Sequence, residues 1–185
     1  MTKKTDITTQ SACATDDAYA IRSGQVPDAW ELAQLHVAVW RETYRAYAPQ
    51  TAVNELGPRR RLPYWTKALA SDPSDTGALV ATRNGAIVAV SGFGVSTHPA
   101  FAGAAEIKHF YVGKSARGLG LGSRLFRTTL DHLRIGGQNR VALAVVEQNT
   151  RARKFYRTLG GEEIGAFTDA GPLWRSSNIV VQWVL

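Results

Sequence analysis

Three glycines alternate with other residues in a turn that joins a predicted strand to a predicted helix. The turn reads Arg117-Gly118-Leu119-Gly120-Leu121-Gly122-Ser123. Glycine adopts backbone conformations, and allows close approaches, that a Cβ atom forbids. The first turn of a helix presents free N–H groups together with the positive end of the helix dipole. The sequence therefore predicts an anion site here, suited to a diphosphate, with Arg117 and Lys114 nearby for charge-assisted hydrogen bonds.

Two familiar nucleotide-binding patterns fit this turn poorly. A dinucleotide fingerprint that uses Gly118 and Gly120 needs a third glycine at 123, where Ser123 stands, and no acidic residue lies near the expected ribose position. A Walker loop that ends at Gly113-Lys114-Ser115 needs its first glycine at the position of Lys108. A pyrophosphate loop for an acyl-CoA is the third interpretation.

Hydrophobic periodicity and turn residues place the glycine turn inside a mixed order of elements. Strands are predicted at residues 19–22, 78–81, 86–90, 105–112, 141–146, 164–167 and 179–184, and helices at about 27–47, 57–70, from the glycine turn to 135, and at 149–159. Asn84-Gly85 lies between two apolar runs and predicts a tight hairpin. The run 141–146 is six consecutive apolar residues, which favours a strand buried on both faces. The order β, α, α, β, β, β, α, β, α, β, β indicates one α/β domain with a mixed sheet.

The length of 185 residues favours a single domain. Residues 1–18 are polar and contain no apolar stretch that could serve as a secretory signal, so we expect a disordered leader followed by a folded domain at 19–185. The only cysteine, Cys13, excludes a disulfide within the chain and favours a reducing, cytoplasmic setting. No run of 18 apolar residues occurs, which argues against a membrane span.

The formal net charge of +7 is compatible with an anionic partner. The basic residues are scattered along the chain, however, which argues against a dedicated nucleic-acid module. A polyphosphate ligand explains a local basic surplus equally well. We expect the run Arg59-Arg60-Arg61 on the solvated face of the second predicted helix.

The sequence around the glycine turn resembles the sequences of the GNAT acetyltransferase superfamily. Its signature is Gln or Arg, two residues, Gly, one residue, then Gly or Ala, and Arg117, Gly120 and Gly122 match it. The strand 105–112 before the turn, the segment 149–160 after it and the stretch 35–45 are also similar to family members. The resemblance covers about residues 19–185. It implies a single GNAT-fold domain, with a mostly antiparallel twisted sheet, flanking helices and one splayed parallel strand pair that admits acyl-CoA.

The resemblance also implies roles for individual residues. The diphosphate of CoA would be held by backbone N–H groups of Arg117, Gly118, Leu119, Gly120, Leu121, Gly122 and Ser123. The strand residues Phe110, Tyr111 and Val112 would pair with the pantetheine amides, and one of their N–H groups would polarise the thioester carbonyl. Asn149 would bind the pantetheine arm, although it is also a good helix cap.

Two residues stand where the family has catalytic groups. Tyr156 would contact the cofactor and serve as general acid for the departing thiolate. The alternative role for Tyr156 is to pack in the apolar core. Glu106 would serve as general base, and its alternative is a solvated charge at a strand end. His109, which alternates with Ile107 and Tyr111, is a rival base or a residue that lines the acceptor site.

The function implied is transfer of an acetyl group from acetyl-CoA to a primary amine, by direct attack in a ternary complex and without a metal. The acceptor is a small molecule or a peptide, and Tyr44 and Tyr47 are candidates to line its pocket; Trp174 is a candidate for its lip. Two alternatives are a catalytically silent acyl-CoA sensor or interaction module, and a basic nucleic-acid binder, which lacks a recognisable module. Many relatives pair as homodimers, so a dimer is possible.

Overall fold

The computed structural model describes residues 19–72 and 76–185; the predicted leader lies outside them. The strands are β1 (Ala20–Ser23), β2 (Thr76–Arg83), β3 (Ala86–Val95), β4 (Ala105–Val112), β5 (Arg140–Val146), β6 (Glu162–Asp169) and β7 (Ser176–Val184). The helices are α1 (Ala29–Tyr44), α2 (Gln50–Glu55), α3 (Pro58–Ala70), α4 (Leu121–Ile135) and α5 (Thr150–Thr158). Every predicted strand and helix is present; the short helix α2 was not predicted, since its six residues are too few to show a helical period.

The described strands form one sheet in the order β1-β2-β3-β4-β5-β7-β6. Neighbouring strands run antiparallel except β4 and β5, which run parallel. Those two strands pair only at Ala105↔Val141 and Glu106↔Ala142 and then diverge. The predicted mixed sheet with one splayed parallel pair is confirmed.

The hairpin between β2 and β3 follows the sequence prediction. Asn84 and Gly85 both have positive φ, at 52° and 81°, as the two central residues of a type I′ turn require. This turn sets the register in which Arg83 faces Ala86.

Helices cover both faces of the sheet. Helices α4 and α5 pack on one face, where Phe126, Tyr156 and Trp183 belong to the largest buried cluster. Helices α1 and α3 pack on the other face, around Leu32, Trp65 and the strand residue Val90. Each face therefore has its own core.

A β-bulge in β4 changes which residues face each core. Gly92 of β3 lies opposite His109 and the next residue, Phe93, lies opposite Ile107, so Lys108 is the extra residue. Ile107 consequently packs with the core under α4, whereas Tyr111 packs with the core under α1 and α3. The expectation that Ile107, His109 and Tyr111 share one face was wrong, because the bulge interrupts the alternation.

Two other expectations also fail locally. Ala144, in the apolar run predicted to be buried on both faces, is exposed because β4 and β5 have already separated at that point. In α3, Arg59 and Arg60 are exposed as expected, but Arg61 turns inward and is only partly exposed. One more residue along a helix rotates the side chain by about 100°, enough to leave the solvated face.

Candidate functional site

The divergence of β4 and β5 opens a cleft of about 640 Å³. Most of the predicted site residues line it, namely Tyr44, Tyr47, His109, Phe110, Tyr111, Val112, Arg117, Gly118, Gly120, Gly122, Ser123, Asn149 and Tyr156. Lys114, Trp174 and three other predicted residues do not line it. Leu119 points to solvent, Leu121 is buried in the core and Glu106 lies where β4 and β5 are still paired.

The glycine turn closes one end of this cleft. Gly118 and Gly120 have φ of +77° and +78°, a left-handed conformation that other residues adopt only with strain. The ladder of α4 begins with the Arg124 N–H donating to the Gly120 carbonyl. The N–H groups of the residues before it in the helix therefore remain available to an anion, as the first turn of a helix requires.

Gly122 has a different role from the two left-handed glycines. A Cβ atom there would lie 3.6 Å from both the Phe155 ring and the Val112 side chain. That is ordinary van der Waals contact, so alanine fits, but a larger side chain would separate α4 from α5 and β4.

The Arg117 side chain is engaged by the protein rather than directed at a ligand. Its two terminal nitrogens donate to the Glu42 carboxylate at 2.9 and 3.0 Å, and its Nε donates to the Val112 carbonyl at 2.8 Å. The guanidinium thus joins the glycine turn to α1 and to the end of β4. We expected this side chain to bind a diphosphate directly, and its contacts do not favour that role.

The free edge of β4 presents main-chain groups to the cleft. The Gly113 N–H donates to the Val88 carbonyl of β3, so the Val112 carbonyl, on the other side of that peptide, points toward the open edge. Alternation along the strand gives Phe110 the same orientation and turns Tyr111 toward β3. Of the three residues expected to pair with a ligand, Phe110 and Val112 have their main-chain groups in position.

Asn149 begins α5 as predicted. Its Oδ1 accepts a hydrogen bond from the Ala152 N–H at 3.2 Å, which caps the helix. Burial raises the pKa of Tyr44, and a hydrogen bond with the Asn149 side chain opposes that rise. Asn149 therefore caps the helix and contacts the opposite wall of the cleft at the same time.

Three tyrosines, Tyr44, Tyr111 and Tyr156, converge on the middle of the cleft. Burial raises the pKa of Tyr156 far above its usual value, and the charge on an ionised Tyr44 would raise it further. Burial likewise raises the pKa of Tyr111, with Tyr44 as the next cause. Each phenol therefore stays protonated at neutral pH and keeps an O–H to donate. The Tyr111 hydroxyl lies 3.4 Å from His36 Nε2, behind the cleft, which leaves Tyr44 and Tyr156 to donate into the cleft.

The two candidate bases lie at different depths. His109 lines the cleft, and burial lowers its pKa to about 3, with the charges of Arg61 and Lys108 adding to the shift. Glu106 is partly exposed, on the same side of β4 as Tyr64, whose pKa its charge raises. His109 is therefore neutral at physiological pH but a weak proton acceptor.

Sequence reasoning missed three residues around the cleft. Glu42 and Arg151 line it, and His36 lies fully buried behind it with Nε2 3.4 Å from the Tyr111 hydroxyl. The position of Arg151, two residues after the cap of α5, could have indicated a cation near the cleft. His36 sits on the apolar face of α1, and a lone histidine there usually signals only packing.

The described residues show no membrane-spanning helix and no cluster of metal ligands. None of the helices within 19–72 and 76–185 is both long and apolar enough to cross a membrane. In the same residues, histidine, cysteine, aspartate and glutamate form no group of three that could hold a metal.

Comparison with known proteins finds a matching family and many similar structures. Residues 35–160 match the acetyltransferase (GNAT) family, while no protein with a curated description matches the chain. Among solved structures, the PaiA N-acetyltransferase of Thermoplasma acidophilum in complex with coenzyme A superposes with a TM-score of 0.73 at 15% identity, over 90% of this chain and 99% of that one.

Two further structures resemble the fold to a similar degree. YncA of Salmonella typhimurium, solved with its cofactor acetyl-CoA, has a TM-score of 0.69 at 19% identity over 90% of this chain and 94% of its own. The ribosomal-protein-alanine N-acetyltransferase of Brucella melitensis has a TM-score of 0.69 at 20% identity over 90% and 99%. At these identities the similarity is one of fold.

Proposed function

Because this chain belongs to the acetyltransferase (GNAT) family, we propose that it transfers an acetyl group from acetyl-CoA to a primary amine by direct attack in a ternary complex. The observation that carries the proposal is the cleft itself. It has a glycine-rich helix start at one end, an open strand edge along one wall and a protonated tyrosine at its centre.

The residues of the cleft fit CoA. The N–H groups at the start of α4 suit its diphosphate, and Lys108 and Arg151 supply positive charge along the same cleft. The main-chain groups of Phe110 and the N–H of Val112 suit the amides of its pantetheine arm, which can extend β4 on the side that β5 leaves open. The Val112 carbonyl is already an acceptor for Arg117 Nε.

Bound acetyl-CoA supplies an acetyl thioester. The amine nitrogen forms a bond to the acetyl carbon as the carbon–sulfur bond breaks, and the proton that the amine loses balances the one that the thiol gains. The N–H groups on the open edge of β4, at Phe110 or Val112, stabilise the negative charge that develops on the carbonyl oxygen.

Tyr156 assists the departure of the thiolate. A CoA thiol has a pKa of roughly 8.5 by analogy with cysteine, and burial keeps the pKa of Tyr156 above that value. Full proton transfer from the phenol is therefore unfavourable, and its hydroxyl acts mainly by donating a hydrogen bond to the sulfur.

An amine acceptor must lose a proton before it attacks, because it is mostly protonated at neutral pH. We assign this step to Glu106, acting through a water because it does not line the cleft. His109 lies closer, but burial and neighbouring cations hold its pKa at about 3 and make it a poor acceptor. Glu106→Gln should shift the lower limb of the pH–rate profile; if His109→Gln shifts it instead, the assignment is wrong.

The decisive experiment has two stages. Calorimetry of the folded protein should show saturable binding of CoA and acetyl-CoA, and binding of neither would refute the proposal. A screen of primary amines and short peptides should then give amine-dependent release of free thiol from acetyl-CoA. Binding without release over the whole screen would favour the silent sensor instead.

A further inference from the structure

A set of buried and half-buried polar side chains lies on the side of β4 that faces α1 and α3. We call it the buried polar cluster; its members are His36, Arg61, Tyr64, Trp65, His109 and Tyr111. The Tyr64 ring is 4.7 Å from that of His109 and 5.1 Å from that of Trp65, and the His36 ring is 4.6 Å from that of His109. His109 and Tyr111 also line the cleft, so the cluster adjoins the proposed reaction site.

The cluster has hydrogen-bond donors without protein acceptors. The Nε of Arg61, the hydroxyl of Tyr64 and the indole N–H of Trp65 are buried and unpaired. A guanidinium and an indole can only donate, so an oxygen acceptor is what these groups lack. The Nδ1 of His36 is likewise without a partner.

Arg61 brings the only full positive charge to the cluster. Among the described residues, no carboxylate forms an ion pair with it, whereas its neighbour Arg60 has Glu55 at 3.9 Å. Burial lowers the pKa of His36 far below its usual value and that of His109 to about 3, so both rings are neutral. Arg61 is half-buried and its Nε is fully buried, so its charge lacks part of its hydration, and one monoanion would balance it.

We propose that the buried polar cluster binds the carboxylate of the acceptor, so that the amine of an amino-acid-like substrate is presented to the cleft beside His109 and Tyr111. This inference rests on the proposed acetyl transfer. A carboxylate fits better than a phosphate monoester, since a dianion would leave one buried negative charge uncompensated.

The test compares amines that differ only in the carboxylate. Glycine, β-alanine and γ-aminobutyrate are each assayed beside their amides, with the wild-type enzyme and with Arg61→Gln. We expect at least one acid to be preferred over its amide by tenfold or more in kcat/KM. Arg61→Gln should lower kcat/KM for that acid about 10–100-fold, the range for a lost hydrogen bond to a charged group, and change that for the amide less than threefold.

Arg60→Gln is the matched control, because it removes an exposed arginine from the adjacent position of α3; it should leave the preference unchanged. Arg61→Met is a second variant that keeps the length of the side chain, in case Arg61→Gln does not fold. Equal rates with acids and amides in the wild type, or an acid preference that survives both Arg61 substitutions, would overturn the inference.

A binding measurement decides the matter even if none of the three acids is acetylated. The indole N–H resonance of Trp65 should shift saturably when an acid is added, but not with its amide, and the shift should vanish in Arg61→Gln. The indole of Trp183, which donates to the Leu159 carbonyl at 3.0 Å, is the internal reference. No acid-specific shift at Trp65 at tens of millimolar would refute the carboxylate site.

The two proposals can fail separately. Calorimetry with CoA tests the cofactor end of the cleft and does not involve Arg61. A protein that binds CoA and acetylates amines regardless of a carboxylate would retain the proposed function and lose this inference. A protein that binds no CoA but shows the Trp65 shift would lose the proposed function and retain the carboxylate site.

Discussion

Strand β4 has two faces that are built differently, and the indoles of Trp183 and Trp65 show the contrast. On the side of α4 and α5, Trp183 is buried among aromatic rings and its N–H donates to a backbone carbonyl. On the side of α1 and α3, Trp65 is fully buried and its N–H has no protein partner. The first face is a packed support for the cofactor cleft, whereas the second retains unmet hydrogen-bonding capacity next to it.

This difference separates two kinds of recognition. The cofactor end depends on main-chain geometry: left-handed glycines, a helix start and a free strand edge. The other face depends on particular side chains, with Arg61 and two neutral histidines at its centre. Four measurements would break or sharpen this comparison.

The largest effect is expected from Tyr156→Phe. The substitution keeps the ring that packs against Phe126 and Trp183 and removes only the hydroxyl in the cleft. Loss of the hydrogen bond to the departing thiolate should lower kcat about 100-fold, while the affinity for acetyl-CoA stays nearly constant. Tyr19→Phe is the control, since it removes a buried hydroxyl outside the cleft. A kcat within threefold of the wild type would remove Tyr156 from the mechanism.

Gly120→Val should weaken CoA binding about 10–30-fold. A residue with a Cβ atom pays roughly 1–2 kcal/mol in the left-handed conformation, and relaxing that strain moves the N–H groups at the start of α4. Gly85→Val is matched to it, because Gly85 has φ of +81° in the distant hairpin. Both variants should lose similar stability in urea unfolding, but only Gly120→Val should raise the Kd measured by calorimetry. Equal Kd values would show that the main chain of the turn does not bind CoA.

The buried histidines should make the fold sensitive to acid. The unfolded chain protonates them near pH 6.5, whereas burial lowers the pKa of His109 to about 3 and that of His36 further. The contribution of these two neutral histidines to the free energy of unfolding is complete above pH 6.5. It is lost as the pH falls, because the unfolded state then binds more protons than the native state. Between pH 6.5 and 5 the free energy of unfolding should fall by about 1–2 kcal/mol for each histidine.

Urea unfolding at the two pH values measures this loss. His36→Leu should remove part of the pH dependence, and His98→Gln, which replaces an exposed histidine, should not. An unchanged pH dependence in His36→Leu would mean that His36 takes up protons equally in the native and unfolded states.

The smallest effect concerns the ion pair between Arg117 and Glu42. Glu42→Gln removes a negative charge from the cleft and releases the guanidinium. At low salt, CoA should then bind about threefold more tightly. This is the effect in water of one additional net positive charge about 7 Å from a negative charge of CoA. Glu55→Gln, in a loose exposed pair, should leave the Kd unchanged. Weaker binding in Glu42→Gln would show that anchoring the turn matters more than charge.

The cofactor end could be predicted from the sequence because its signals are local. Gly118 and Gly120 are needed for their own φ values, Asn149 caps the helix that it begins, and strand 105–112 is bounded by turns on both sides. Each of these features depends on neighbours in the chain, so the spacing alone identifies it.

The other face could not be predicted, because its signals are long-range. His36 meets Tyr111 from a position 75 residues earlier in the chain, and Glu42 meets Arg117 across the same separation. Arg61 stands in a run of three arginines, and only the packing of α3 against α1 decides which of them turns inward. The bulge at Lys108 has no glycine or proline to mark it.

The extra residue at Lys108 has an evolutionary consequence. In the proposed reaction, strand β4 contacts the cofactor through its main chain and the acceptor through side chains that face α1 and α3. The bulge decides which side chains of the strand face α1 and α3. Deleting Lys108 would restore simple alternation and exchange the environments of the residues on one side of it. Changes on α1 and α3 could instead alter the choice of acceptor without altering how the strand meets the cofactor. The acceptor half of the domain is thus free to diverge while the cofactor half stays the same.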